Sequence, residues 1–367
     1  MFQFTPSTRI RRSPFHAASV ADGLAAVTTY NHMHLPTGYG DPAAEYDRLI
    51  NAVSMWDVAA ERQIELWGPD AARLAQILSP RDLSTCKIGQ GKYVALCNHA
   101  GTVINDPILL KLAEDRFWIS IADSNILFWA RAIAAERGLD VQITEADASP
   151  LAVQGPKAED VIAALFGDEI RKMRYFWFQE HEINGIPVML ARSGWSKQGG
   201  FEIYLMDGRR GSDLWQIVKE AGQPFGIGPG NPNGTERIES GLLSWGGDTD
   251  DATNPFEIRM GAYVDLDVPD DVIGIDALRR IAAEGPKRHQ LGAVIDAATP
   301  LPPVGIWAPI LADGQKIGDL TCSTWSPRLA ANIGFALISR TAKAGDAVRI
   351  ALPEGEVSAT LTALPFL

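Results

Sequence analysis

Two stretches of this chain, 87 positions apart, are written in one grammar. Gln63-Ile64-Glu65-Leu66-Trp67 alternates like a strand, Gly68-Pro69 breaks it, and Asp70 to Leu78 reads as a helix ended near Pro80. Further on, Leu151-Ala152-Val153-Gln154 reads as a strand, Gly155-Pro156 as a break and Ala158 to Phe166 as a helix. The strings GPDAARLAQIL and GPKAEDVIAAL share Gly-Pro-x-Ala and the later apolar positions. A second landmark agrees: Trp129 opens WARAIAAERG, and Trp215, 86 positions on, opens WQIVKEAG. Two landmarks at nearly one spacing predict an internal duplication, with chance likeness between amphipathic helices as the alternative.

Each copy reads strand, helix, two or more strands, helix, strand. In the first copy Lys92 to Leu96, Val103 to Leu110 and Phe117 to Ile121 are the middle strands, and Val141-Gln142-Ile143 follows the helix. This order predicts an α+β unit with a mainly antiparallel sheet and helices on one face. No GxGxxG follows a strand, and GIGPGNPNG at 226–234 lacks Gly-Lys-Ser/Thr, so it reads as a loop. Ahead of the copies, Asp41-Pro42 caps a helix whose apolar stripe is Tyr46, Leu49, Ile50 and Val53. Near Gly285-Pro286 the helical patterns give way to short strands at Leu291 to Ile295, Lys316 to Thr324, Ala331 to Ile338, Ala347 to Ala351 and Ser358 to Ala363. Asp313-Gly314 and Glu354-Gly355 supply hairpin turns. The expected organisation is two similar α+β halves in residues 1–285 and a small β-barrel or sandwich in 286–367.

Charge and cysteine usage narrow the function. The 367 residues carry 33 Lys and Arg against 45 Asp and Glu, a net −12, which argues against nucleic acid as a partner. Cys86, Cys97 and Cys322 are too few and scattered for a disulfide framework and read as buried, reduced thiols of a cytoplasmic protein. No apolar run of about 18 residues is present to span a membrane. His32 and His34 lack a third ligand at a familiar spacing, and Asp248, Asp250 and Asp251 lack a calcium-loop pattern, so no metal is expected and the acidic cluster reads as a solvated loop. Gly-x-Ser-x-Gly is absent, so there is no nucleophile elbow. Most of the ten Trp are expected in the core.

Three stretches carry unusual chemistry. Asp106 sits between Val103-Ile104 and Ile108-Leu109-Leu110, either as a turn residue before Pro107 or as a buried carboxylate. Arg192-Ser193-Gly194-Trp195-Ser196-Lys197-Gln198-Gly199-Gly200 opens into Phe201-Glu202-Ile203-Tyr204, where Glu202 and Tyr204 share one strand face. That face is either solvent or a pocket wall offering a carboxylate to N–H donors and an aromatic to a cation. Glu236-Arg237-Ile238-Glu239-Ser240-Gly241 looks like a helix with an ordinary exposed charge pattern.

Together these stretches resemble the folate-dependent aminomethyltransferase family, the glycine-cleavage T-protein and its demethylase relatives. The family's Gly-Tyr-Thr-Gly-Glu-x-Gly-Phe-Glu is matched by Gly194 to Glu202, its Tyr and later Asp-Asp by Tyr93 and Asn105-Asp106, and its Arg-Leu-Glu-x-Gly helix by Arg237 to Gly241. Trp195 replaces the family Tyr, and Ser196-Lys197-Gln198 replaces Thr-Gly-Glu. The segments 30–33, 56–63, 105–107, 118–124 and 194–196 look closer to the dimethylsulfoniopropionate demethylase branch.

The resemblance implies a three-domain cloverleaf, with a folate-binding region in residues 1–285 and tetrahydrofolate in a central channel. It implies Tyr93, Asp106, Glu202 and Arg237 as folate-binding residues, and Asp106 and Tyr204 as catalytic ones. Trp195 and Tyr204 would hold a methylated cation by cation–π attraction, with Arg11 or Arg12 for its carboxylate. The implied reaction moves a methyl group from a sulfonium to N5 of tetrahydrofolate, with a neutral thioether leaving and no metal needed. Partners are then a small-molecule methyl donor and, as an assembly, a homodimer, with neither nucleic acid nor membrane. The alternatives are a folate enzyme acting on another N- or O-methyl donor or moving a methylene group, and a non-catalytic folate-binding protein.

Overall fold

The computed structural model describes residues 7–367. The chain divides into two compact units. The first comprises the chain up to Ala75, Thr85–Tyr93 and Pro107–Asn233; the second comprises Gln76–Ser84, Val94–Asp106 and Gly234–Leu367. A cut at 285/286 would therefore pass inside the second unit.

An N-terminal segment leads in: helix α1 (His16–Ala21), the hairpin β1 (Ala26–Tyr30) and β2 (Met33–Gly38), helix α2 (Pro42–Asn51) and strand β3 (Val53–Asp57). Asp41 caps α2 by accepting the backbone N–H of Ala43 and Ala44 at 3.1 and 3.0 Å. The helix stops at Asn51, and Val53, expected to end its stripe, instead opens a fully buried strand. A spacing rule cannot see a change of chain direction, whereas β-branched Val suits the strand.

The first half then runs β4 (Gln63–Trp67), α3 (Ala71–Leu78), β5 (Gln90–Tyr93), the short pair β6 (Leu96–Cys97) and β7 (Val103–Asn105), β8 (Ile108–Ala113), β9 (Arg116–Ser120), α4 (Ile126–Arg137) and β10 (Gln142–Glu145). The second half runs β11 (Ser149–Gln154), α5 (Ala158–Phe166), β12 (Phe178–Ile183), β13 (Ile186–Ala191), β14 (Gly200–Leu205), α6 (Gly211–Gly222) and β15 (Ile227–Gly230). Their sheets repeat one order: β4-β9-β8-β5 in the first and β11-β14-β13-β12 in the second. All these pairings are antiparallel. Strand β10 lies beside β4, while in the second half β3 stands between β11 and β15. Both strand-to-helix turns need glycine. Gly68 has φ 137° and Gly155 φ 128°, and a Cβ would come within 2.9 Å of the Asp140 oxygen or 2.6 Å of the Ala52 oxygen.

Period-two alternation assigns β14 its two faces. Phe201, Ile203 and Leu205 pack with Val161 and Ile162 of α5 and Trp215 of α6. Tyr204 packs the other way, with Leu110 and Trp118 of the first half and Phe178 and Met189 of the second. The helices thus cover one face of the second sheet, and the first sheet packs on the other.

Part of the glycine-rich stretch expected to be a loop is the edge strand β15, parallel to β3. Its glycines allow close approach: a Cβ on Gly230 would meet the Ser54 hydroxyl at 2.2 Å. The expected strand Val103 to Leu110 is split by Asp106-Pro107 into β7 and β8.

In the second unit, helices α7 (Gly234–Glu239) and α8 (Ile275–Glu284) precede a closed barrel. Its strands are β16 (Arg288–Ile295), β17 (Ala308–Ala312), β18 (Gln315–Ser326), β19 (Ala331–Ser339), β20 (Ala347–Leu352) and β21 (Gly355–Thr362), ordered β16-β19-β18-β17-β20-β21. Strand β17 escaped the sequence reading; the barrel is otherwise where expected. The charges of α7 are not exposed: Glu236, Arg237 and Glu239 are all buried. Nor is Asp248 solvated. It is fully buried, accepting from Arg237 at 2.7 Å and from Thr321 of β18 at 3.1 Å, whereas Asp250 is partly exposed and Asp251 exposed, so only the Asp248 end of the acidic loop is withdrawn from water. The three cysteines are free and buried, and burial pushes the Cys97 and Cys322 thiols up to about 12.

Candidate active site around Glu202

The loop before β14 is fastened to the end of β11. Gln154, almost fully buried, donates its amide to the Ser193 carbonyl at 3.1 Å and accepts the Ser196 hydroxyl at 2.8 Å. Gly194 and Gly200 lie against it so closely that a Cβ at either would fall 2.0 or 2.4 Å from its amide nitrogen. Those glycines, at φ 143° and 159°, let the backbone on either side of the loop press against Gln154.

This places Ser193 beside Glu202. The Ser193 hydroxyl donates to Glu202 Oε2 at 2.5 Å, and the Tyr204 phenol donates to the same oxygen at 3.0 Å. Among the described residues no hydrogen bond reaches Oε1. Glu202 is 6% exposed, and among the described residues no cation pairs with it. Burial pushes its pKa up, and the two hydroxyls pull it back. Burial first, and the Glu202 charge next, hold Tyr204 well above its ordinary value, so the phenol keeps its proton and acts as donor. A carboxylate anchored through one oxygen, with the other unused, is an acceptor for a ligand's N–H groups.

Other predicted residues stand elsewhere. Tyr93 ends β5 opposite Ile108 and is half-buried. Trp195 is half-buried in the pinned loop. Asp106, also half-buried, lies in the link from β7 to β8, which is neither expected extreme. Tyr204, expected to offer its ring to a cation, is only 1% exposed, with Trp118 at 6.2 Å between ring centroids; its faces are taken by the core, and its polar end serves Glu202. Arg11 and Arg12 are both exposed, and Arg11 is engaged with Glu145 at 2.8 Å. Arg237, expected on folate, gives its guanidinium to Asp248 and stacks over Phe335 at 5.5 Å. Among the described residues no group of three His, Cys, Asp or Glu is placed to hold a metal ion. No helix there is long and apolar enough to cross a membrane.

The GCVT N-terminal domain model matches residues 15–268, and the glycine cleavage T-protein C-terminal barrel domain model matches 288–367. The chain belongs to the glycine cleavage T-protein family. Within the T-protein family it is 41% identical to dimethylsulfoniopropionate demethylase DmdA of Ruegeria pomeroyi, over 97% of both chains. It is 30% identical to an aminomethyltransferase of Thermoanaerobacter pseudethanolicus, over 90% of this chain and 91% of that one. In fold it matches the glycine cleavage system aminomethyltransferase T of Bartonella henselae, with TM-score 0.85 at 22% identity over 98% of both chains. At Ser196 the exchange for the family Thr keeps a hydroxyl, and that hydroxyl is one of the two groups that fix Gln154 to the loop.

The sequence reading missed Ser193 as a partner of Glu202, and Gln154 as the anchor of the loop. Ser193 lay within the quoted motif, nine residues from Glu202. Only its place next to Gly194 hinted that its side chain is fixed.

Proposed function

We propose that this chain is a tetrahydrofolate-dependent methyltransferase that moves a methyl group from dimethylsulfoniopropionate to N5 of tetrahydrofolate. The likeness to the Ruegeria enzyme along both chains supports the donor. The observation that carries the folate reading is Glu202: a buried carboxylate with one oxygen held by two hydroxyls and, among the described residues, neither a cation partner nor a hydrogen bond on the other oxygen. That arrangement fits the amino and ring N–H groups of a pterin.

Bound tetrahydrofolate supplies the nucleophilic nitrogen that takes the methyl group. In this reading the folate-binding region lies within residues 1–285. Glu202 accepts the pterin N–H groups, and Tyr204 contributes by fixing Glu202 rather than by facing substrate. Tyr93 adds to the folate site, and Asp106 orients the reacting amine and favours the positive charge that grows on it. Trp195 offers its indole face to the sulfonium, worth about 2 kcal/mol when water is excluded. Arg12 is the cation for the substrate carboxylate. The leaving thioether is neutral and needs little acid assistance, so alignment does most of the work. The aminomethyltransferase relatives keep methylene transfer as the competing reading.

Incubation with tetrahydrofolate and a panel of methyl donors separates the readings. 5-Methyltetrahydrofolate should form with dimethylsulfoniopropionate, and Glu202→Ala should weaken folate binding by about 1.5–3 kcal/mol in calorimetry. Product from a different donor alone would overturn the substrate. Unchanged folate affinity in the variant would remove Glu202 from the site.

A further inference from the structure

The two halves of the duplication differ in the connection that leads into their matched strands β9 and β14. In the first half, Glu114 and Asp115 alone join β8 to β9, and the turn glycine Gly68 donates its N–H to the Asp115 carbonyl at 3.0 Å. In the second, residues 192–199 join β13 to β14, and the matched glycine Gly155 donates to the Gly199 carbonyl at 2.9 Å. The junction is the same, and only the half that carries Glu202 has a long loop ahead of it. The residue before each glycine differs with it: Trp67 is 50% exposed, whereas Gln154 is 1% exposed. The strand-to-helix turn therefore does not itself require a buried amide, and the loop is what Gln154 serves.

Every hydrogen-bonding group of the Gln154 amide is spent on that loop. Its nitrogen donates to the Ser193 carbonyl at 3.1 Å, where the loop begins, and more loosely to the Phe201 carbonyl at 3.4 Å, just past its end. Its oxygen accepts the Ser196 hydroxyl from the middle of the loop at 2.8 Å. Gly194 and Gly200, where any Cβ would collide with the amide, leave the slot it fills. A flipped amide would set its oxygen against two carbonyl oxygens, so the orientation is keyed. The two carbonyls held are those of Ser193 and of the residue immediately before Glu202. The side chains of Ser193 and Glu202 then close the same neck through their own hydrogen bond. Ser193, Ser196 and Glu202 are all buried, so a bond lost here is not made good by bulk water.

We propose that Gln154 is a positioning residue for Glu202: its amide ties the two ends of the 192–199 loop together and so keeps the Ser193 hydroxyl on Glu202 Oε2, with Oε1 presented to the N–H groups of a ligand. The ligand is that of the reading given above; the clamp itself concerns the bond between Ser193 and Glu202, which exists without a ligand.

The test uses the full-length protein and reads two quantities between about pH 4 and 9: tetrahydrofolate affinity by calorimetry, and the infrared carbonyl band of protonated Glu202, assigned by its loss in Glu202→Gln. Ser193 and Tyr204 are the side chains that donate to Glu202, and both favour its ionised form. Ser193→Ala should therefore raise the pH at which the band disappears. Gln154→Met, which keeps the length and removes the amide, should raise it too and weaken folate binding roughly three- to tenfold at neutral pH. In a Ser193→Ala background, Gln154→Met should leave the band where Ser193→Ala alone puts it, because the clamp acts through that hydroxyl. A residue that only supports the fold would lower the melting temperature with the band unmoved, or move the band equally in both backgrounds; either result overturns the proposal. Should Gln154→Met lose its cooperative melting, Ser196→Ala takes its place. It should shift the band the same way by less, with no shift in the Ser193→Ala background, and Ser196→Thr, which keeps the hydroxyl, should behave as the parent. An unmoved band in Ser196→Ala then overturns the clamp. Should the parent bind no tetrahydrofolate, the folate reading fails, and the infrared titration still decides the clamp.

Discussion

Four buried carboxylates in this chain show two designs. Asp248 and Glu239 face arginines, Arg237 at 2.7 Å and Arg328 at 2.5 Å, and those pairs fasten α7 and its following loop within the second unit. Asp57 and Glu202 face hydroxyls instead. Asp57, 2% exposed at the end of β3, accepts from Ser13 and from the Ala59 N–H at 3.3 Å. Burial pushes its pKa up from 3.8 to about 6. The folded protein then holds the proton more tightly than the unfolded chain does. Its contribution to stability is complete below pH 3.8 and is lost as pH rises through about 6. The full swing is about 3 kcal/mol. Asp57→Asn cannot titrate, so its unfolding free energy relative to the parent should rise by about that amount between pH 4 and 7, whatever constant cost the amide adds. A difference that stays flat with pH in urea unfolding would show that Asp57 titrates as it does in water.

At the scale of elements, the duplication rests on two glycine turns, and they should respond unequally to a methyl group. Gly155→Ala puts a Cβ 2.6 Å from one backbone oxygen and 3.1 Å from another, whereas Gly68→Ala meets one at 2.9 Å. Gly23, at φ 94° in open space, isolates backbone strain from collision. Each replacement should destabilise by more than about 1 kcal/mol, in the order Gly155, Gly68, Gly23. Denaturant midpoints at constant slope would show this, and equal costs at all three would mean that strain alone matters. The same elements show what could be read from sequence. The matched turns, their helices and five of six barrel strands follow from alternation and Gly-Pro punctuation. Strand β15 does not, because its glycines exist to fit against Arg48 and Ser54, which sequence proximity does not reveal. Alternation also put Glu202 and Tyr204 on one face, but which face was turned toward the other half depends on sheet-on-sheet packing.

At the scale of the whole chain, the composition change near Gly285 marks where helices give way to strands, and it does not mark where the second unit begins. Residues 234–285 belong with the barrel. Ile238 of α7 packs with Cys322, Ile333 and Phe335, and Glu239 accepts from Ser326 and Arg328. From the barrel side, Arg288 of β16 binds Asp250 at 2.7 Å and Glu257 at 3.0 Å. Removing residues before 286 would expose that apolar face and strip Arg288 and Arg328 of their carboxylates, with Arg288 only partly exposed in the intact protein. Breaking such partly buried pairs costs more than their presence contributes, because the remaining charge stays desolvated. A fragment of residues 286–367 should therefore melt less sharply and bind more of a hydrophobic dye than 234–367, which keeps the α7 and loop contacts though not those of residues 76–84 and 94–106. Equal, cooperative melting of the two fragments would show that the barrel stands alone and that α7 and its loop are an appendage to it.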